Sequence, residues 1–262
     1  MNLSSLVTLS SPTSFETESY KLLRTNLNFK NFKNKYQVML VTSAGKKEGK
    51  TTTICNLAIT FAQSGKRVLI VDADLRLPRV NKIFDINSRL PGLSNMLVDG
   101  LPLDFVLNKV GDLEELEVMT AGNKQVSPTE LLNSDAFENM IIECKKKFDI
   151  ILIDTPPVLS FADASIVSKV VDGVLLVVAA QEAKKAMVVE AKKNLEKVEA
   201  NIIGVVLTKV EFKKSALYYG YGYSRDQDKV QSGSHHKKKG LFRRKDQITE
   251  ENSDVNSEDS KP

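Results

Sequence analysis

Gly49, Lys50 and Thr51 stand together in residues 38–53, VMLVTSAGKKEGKTTT, where an apolar run passes into a loop of small and charged residues. That order of residue types suits a polyanion. An apolar strand delivers the loop, backbone N–H groups turn inward, and the following helix aims its positive end at bound phosphates. Lys50 would reach the β- and γ-phosphates, and the Thr51 hydroxyl would sit on Mg²⁺. The whole stretch Ala44, Gly45, Lys46, Lys47, Glu48, Gly49, Lys50, Thr51 and Thr52 is the candidate cradle. The pattern G-x-x-x-x-G-K-[ST] is met except at its first position, where Ala44 stands in place of glycine.

Two further segments carry carboxylates where a phosphate site needs them. Residues 68–76, VLIVDADLR, are a β-branched run ending in Asp72 and Asp74. Residues 150–157, IILIDTPP, are another such run ending in Asp154 and a turn. Ligands of open parallel sheets bind beyond the carboxyl ends of the strands, so all three runs would offer their chemistry at one edge. A single such Asp could be no more than a helix cap; three, together with Lys50 and Thr51, point to a site.

Those residues need a sheet to hold them. Strands are expected near 37–42, 67–72, 116–119, 149–154, 173–179 and 202–209. Helices are expected near 50–64, 129–133, 135–147, 162–170 and 184–199. Strand–helix alternation implies βαβ units, hence an α/β fold with a mainly parallel sheet flanked by helices on both faces. Residues 1–15 read as irregular, and 15–29 as an amphipathic helix with Tyr20, Leu23 and Leu27 on one face. The organisation expected is an N-terminal segment 1–35, a domain 36–212 and a tail 213–262 that lacks apolar periodicity and reads as disordered.

Composition bounds the rest. A chain of 262 residues with 42% hydrophobic content can hold one sizeable domain plus tails. The net charge of +4 is mild and points to no nucleic-acid partner. Cys55 and Cys144 fall in expected helices and read as buried thiols, which with no leader pattern suggests a cytoplasmic protein. The apolar stretch 170–180 is broken by Asp172 and Gly173 and is too short to span a bilayer. His235 and His236 are too isolated to suggest a metal site.

The tail has two features. Four of the six tyrosines are Tyr218, Tyr219, Tyr221 and Tyr223, interleaved with glycines that prevent a stable helix. Such a segment is either an adhesive aromatic patch or, beside an ATP site, an accessible set of phosphoryl acceptors. Beyond it, residues 229–245 carry seven Lys or Arg and no acid, and residues 246–262 carry six acids and one Lys. The basic block could touch an anionic membrane surface, or the two blocks could form a solvated, self-neutralising tail.

Over residues 10–224 the chain resembles the bacterial tyrosine kinases of exopolysaccharide and capsule synthesis, in their free-standing cytoplasmic form. The parts that carry the resemblance are SAGKKEGKTTT, VLIVDADLRLPRV, IILIDTPP, SPTELL at 127–132 and the tyrosine cluster. The resemblance implies a P-loop NTPase-type fold and an ATP-dependent, Mg²⁺-requiring protein-tyrosine kinase. It also implies that Lys50 neutralises phosphate, that Thr51, Asp74 and Asp154 hold Mg²⁺, and that Asp72 accepts the phenol proton. Tyr218, Tyr219, Tyr221 and Tyr223 would then be phosphorylated in trans. Glu18, Lys21 and Arg24 match the family's subunit-contact helix, which implies a ring-like homo-oligomer. The implied partners are the cytoplasmic tail of a transmembrane polysaccharide co-polymerase, which would hold the kinase at the inner face of the plasma membrane, and a cognate tyrosine phosphatase.

The sequence departs from the family pattern at Ala44, which is harmless if its φ is negative, and at Lys21, which replaces an arginine and cannot pair bidentately. The tyrosine cluster is followed by 39 further residues instead of lying near the end. Two other classes compete. A partition or septum-placement switch ATPase would carry an extra lysine where Gly45 stands, and would lack the Tyr-Gly segment. A non-catalytic scaffold would not need Lys50, Thr51 and all three aspartates.

Overall fold

Four runs of the sequence are apolar at nearly every position, which suits strands covered on both faces. In the computed structural model, which describes residues 6–34 and 36–211 (31–34 as backbone only), these are β1 (Val38–Ser43), β2 (Val68–Asp72), β5 (Ile150–Asp154) and β6 (Gly173–Ala179). All of their residues are buried. With β3 (Leu107–Val110), β4 (Leu113–Met119) and β7 (Ile202–Thr208) they form one seven-stranded sheet in the order β3-β4-β2-β5-β1-β6-β7. Every pairing is parallel except β3 with β4. The three strands carrying the candidate chemistry, β2, β5 and β1, are adjacent at its centre.

Successive side chains of a strand point to opposite faces, and the core divides accordingly. Leu40, Leu69, Val71, Ile151 and Ile153 lie in one apolar cluster; Met39, Val41, Ile70, Leu152 and Val177 lie in the other. α8 (Asp135–Lys147) covers the first face with Phe137, Met140, Ile141 and Cys144, spaced for one stripe of a helix. Ser134 caps it by accepting the Phe137 N–H. α3 (Lys50–Ala62) covers the second face with Ile54, Leu57, Ala58 and Phe61. Helices on both faces of a mainly parallel sheet are the architecture expected from the sequence. Cys55 and Cys144 are both buried free thiols.

Several local expectations are corrected. Residues 1–15 are not all irregular: α1 (Val7–Ser10) is held to α3 because buried Thr8 donates its N–H and hydroxyl to Asn56 Oδ1 at 3.1 and 2.9 Å. α2 runs from Phe15 to Asn34, beyond the expected 15–29. Leu6 and Leu27, from the N-terminal segment, belong to the same apolar cluster as α3.

The helix expected at 162–170 is only α9 (Asp163–Val167), because Lys169 and Val170 make i→i−3 bonds that turn the chain. The helix expected at 129–133 is α7 (Pro128–Leu132), starting on the proline. α4 (Val80–Phe84), α5 (Leu93–Asp99), α6 (Leu103–Val106) and β3 lie where no element was expected. α10 (Lys185–Lys197) packs Ala191 and Leu195 into the core. No helix among the described residues is long and apolar enough to cross a membrane.

Candidate active site

The site begins with the turn from β1 into α3. Ala44 closes β1, buried, and is not among the described non-glycine residues with positive φ, so its methyl group causes no backbone strain. Lys46 and Lys47 are exposed on the loop, Lys47 with φ 61°. Gly49 caps α3 with φ 91°, a conformation that favours glycine. Lys50 and Thr51 then form the first turn of a thirteen-residue helix, whose free N–H groups face the sheet's carboxyl edge. Thr52 points outward, exposed.

Parallel pairing brings the carboxylates to this turn. Asp72 and Asp154 are register partners on β2 and β5, and Val41 pairs with Asp154 from the other side. The loop after β5 is tied to β1: Thr155 donates its hydroxyl to Val41 O at 3.1 Å, Thr42 donates to Pro156 O at 3.0 Å, and Val158 N–H donates to Ser43 O at 2.9 Å. Across this seam the Thr51 hydroxyl donates to Asp154 Oδ2 at 2.6 Å.

Asp154 is almost wholly buried, and its Oδ1 has no hydrogen-bond partner among the described residues. Burial raises its pKa to about 7, opposed by the Thr51 hydrogen bond and by the Lys50 charge. A buried, unpartnered carboxylate oxygen beside a hydroxyl fits Mg²⁺, which takes one or two carboxylates and fills its octahedron with water and phosphate oxygens. No cluster of three or more acidic, His or Cys side chains that could hold a metal by itself occurs among the described residues, and none is needed for such an ion.

Asp72 behaves differently. It is fully buried, and both oxygens accept backbone N–H groups: Oδ2 from Arg79 and Val80 at 3.1 Å each, Oδ1 from Asp74 at 3.2 Å. Burial, then the Asp154 charge, push its pKa well above the usual carboxylate range. In this arrangement it presents no exposed surface to a substrate. Asp74, partly exposed, accepts the Leu77 N–H at 3.0 Å and so shapes that loop.

Other candidates are placed with less convergence. Glu48 is buried, and its carboxylate is bonded to backbone N–H groups of Gly45 and Ala179. On α2, Lys21 pairs with Glu18 at 2.8 Å, while Arg24 donates to the Thr60 carbonyl at the end of α3. Tyr218, Tyr219, Tyr221 and Tyr223 lie outside the described residues.

The sequence left Arg76 without a partner. The structure supplies one: Arg76 holds Asp163 with two bonds, at 2.8 and 3.0 Å, donates to Thr129 Oγ1 at 2.8 Å, and lies 4.0 Å from the Phe161 ring centre. Thr129 in turn donates to Asp163 Oδ1 at 2.8 Å. Asp163 is fully buried. This clamp joins the 73–79 loop to α7 and α9. The SPTELL segment hinted at Thr129; no local signal marks Asp163.

Several known proteins resemble this chain in sequence and in fold. The family model described as "ParA: NUBPL iron-transfer P-loop NTPase" matches residues 34–216. Tyrosine-protein kinase YwqD of Bacillus subtilis (strain 168) is 33% identical over 217 residues, covering 83% of this chain and 91% of that protein. Tyrosine-protein kinase CpsD of Streptococcus agalactiae is 35% identical over 208 residues, covering 79% and 89%. Among solved structures, the chimerical protein CapA2B2 superposes with a TM-score of 0.76 at 32% identity, over 80% of this chain and 91% of that one. The kinase domain of Escherichia coli tyrosine kinase ETK gives 0.76 at 29%, over 85% of each. The septum site-determining protein MinD of Pyrococcus horikoshii, at 0.56 and 20% over 70% and 76%, shares the fold alone. With its phosphate loop, paired aspartates and Asp154 at one sheet edge, the chain belongs to the bacterial protein-tyrosine kinases of capsule and exopolysaccharide systems, built on a P-loop NTPase fold.

Proposed function

We propose that this kinase uses MgATP to phosphorylate Tyr218, Tyr219, Tyr221 and Tyr223 on a neighbouring copy of itself. In this reading it regulates capsular or exopolysaccharide synthesis and export together with a membrane-embedded activator. The observation that carries the nucleotide half is the Thr51–Asp154 pair, beside Lys50 and at the N-terminus of α3. Lys50 and the amides of residues 44–51 neutralise phosphate charge. Thr51, Asp154 and Asp74 would hold Mg²⁺, which would offset charge on the phosphate oxygens. Asp72 takes the phenol proton after the 73–79 loop moves aside, the phenolate oxygen bonds to the γ-phosphorus, and the bond to ADP breaks. Transfer of this kind needs positioning and charge stabilisation more than covalent chemistry.

Assembly follows the same reading. Glu18, Lys21 and Arg24 lie on α2 three residues apart and contribute to a ring-like homo-oligomer, in which a neighbour's tail is the acceptor. New phosphates, each of about −1.5 to −2 charge, would repel one another and loosen the ring. A cognate phosphatase resets it. The activator's cytoplasmic tail holds the kinase at the inner face of the plasma membrane.

The test is incubation of the purified chain with MgATP, with and without the cytoplasmic tail of a candidate activator, followed by phosphotyrosine mapping. Phosphate on the four tail tyrosines that disappears in Lys50→Met supports the reading. Asp72→Asn should lose transfer while still binding nucleotide. ATP hydrolysis without phosphotyrosine would instead make the protein a switch ATPase, and label elsewhere would move the acceptor site.

A further inference from the structure

The phosphate loop is held from the sheet side by its own Glu48. This residue lies between Lys47 and Gly49, yet it is only 6% exposed. Its carboxylate accepts the Gly45 N–H from within the loop and the Ala179 N–H, at 3.3 Å, from the end of β6. Its carbonyl accepts the Thr208 hydroxyl, at 2.7 Å, from the end of β7. Ala179 and Thr208 are register partners, and Ala180 N–H donates to Thr208 O at 2.9 Å. One loop residue is therefore tied to the start of the loop and to the last positions of two strands.

The glycines on either side fit this arrangement. A Cβ at Gly45 would stand 3.0 Å from Glu48 Oε1, and one at Gly49 would stand 3.3 Å from Thr208 Cγ2. A carboxylate aimed at bound phosphates would repel them. Glu48 instead spends its charge on two backbone N–H groups, and bonds of that kind are stronger than neutral ones. No Lys or Arg is ion-paired with it among the described residues. A loop fixed in this way has less freedom to lose when a ligand arrives, which favours affinity.

We propose that Glu48 and Thr208 are positioning residues for nucleotide: they hold the phosphate loop in its binding shape from the sheet side, and they act on nucleotide affinity more than on the transfer step. This rests on the reading of residues 44–51 as the nucleotide loop. It reassigns Glu48 from ligand contact to support, and it gives β7 a part in the site that no motif marks.

The test uses the full chain and MgADP as the probe, with binding measured by calorimetry and transfer to an added tyrosine peptide measured as a function of ATP. Thr208→Val removes the hydroxyl at nearly constant volume and should weaken MgADP binding and raise the KM for ATP by about tenfold, with kcat changed less than about twofold. Thr208→Ser should restore both. Glu48→Ala should weaken binding at least as much as Thr208→Val, and Glu48→Gln, which keeps one acceptor oxygen, should fall between. Binding by Thr208→Val within about twofold of the unmodified chain, failure of serine to restore it, or a fall in kcat that matches the rise in KM would overturn the proposal. An unmodified chain that does not bind MgADP would overturn the nucleotide-loop reading as well; normal binding with insensitive variants would overturn this inference alone.

Discussion

Asp72 and Asp154 are direct register partners at the carboxyl ends of β2 and β5, and both are buried. Burial is the main reason both hold protons more tightly than ordinary carboxylates, and the Asp154 charge adds to the effect at Asp72. Thr51 and Lys50 oppose it at Asp154, which is pushed up to about 7. The pair is a stored electrostatic cost that a cation at the sheet edge would relieve.

That cost has a sign in pH. With folded-state pKa values raised, the native protein binds more protons than the unfolded chain above the ordinary carboxylate range, so the stability is present at low pH and is lost as pH rises toward 7. In chelator, the Tm should fall as pH is raised from about 5 to about 8, and Asp154→Asn should flatten that slope. Thermal scans across the window decide it; a Tm that stays flat, or a slope that Asp154→Asn leaves unchanged, would mean that the pair is already ionised in the native state.

Lys50→Met keeps most of the aliphatic stem and removes the charge beside Asp154. Phosphotyrosine formation should drop by at least about 100-fold, the scale of losing one charge-stabilising donor. Initial rates with the added peptide measure it, and a variant within tenfold of the unmodified chain would separate the reaction from this loop.

The Arg76–Asp163 clamp should matter to stability in proportion to its burial. Asp163→Ala strands a partly buried guanidinium and should cost about 3 kcal/mol in urea unfolding. Arg76→Lys should also destabilise, since an ammonium cannot reproduce the two-bond contact with Asp163 while also lying over the Phe161 ring. Midpoints unchanged in both variants would show that the clamp contributes nothing net.

Asn56→Ala removes the acceptor shared by the N–H and hydroxyl of Thr8. Two buried donors are left unsatisfied, for a loss of about 2 kcal/mol. Limited proteolysis should then cut before Phe15 first; an unaltered digestion pattern would mean that α1 is held by Leu6 packing alone.

Much of the centre was legible from the chain itself. Residues 38–43, 68–72, 150–154 and 173–179 are apolar at nearly every position without alternation, as a strand buried on both faces would be, and each of the first three runs into a residue that can meet a phosphate or its metal. α8 announced itself by the spacing of Phe137, Met140, Ile141 and Cys144 behind Ser134. These signals are local: period, cap and turn reside within a dozen residues.

What only the tertiary structure decided are pairings between distant positions. Asp163 lies 87 residues from Arg76, and Ala179 and Thr208 lie 131 and 160 residues from Glu48. An isolated Asp at the start of a short helix, or a Thr at a strand end, has no local feature that names its partner. β3 was invisible because four residues with one fully buried side chain carry no period, and they pair only because β4 offers a free edge. The sequence determined which residues could do phosphate chemistry and the kind of sheet that would carry them. The three-dimensional packing decided which carboxylate faces the helix turn, which is spent on backbone N–H groups, and which braces the loop, because those assignments depend on strand order and register.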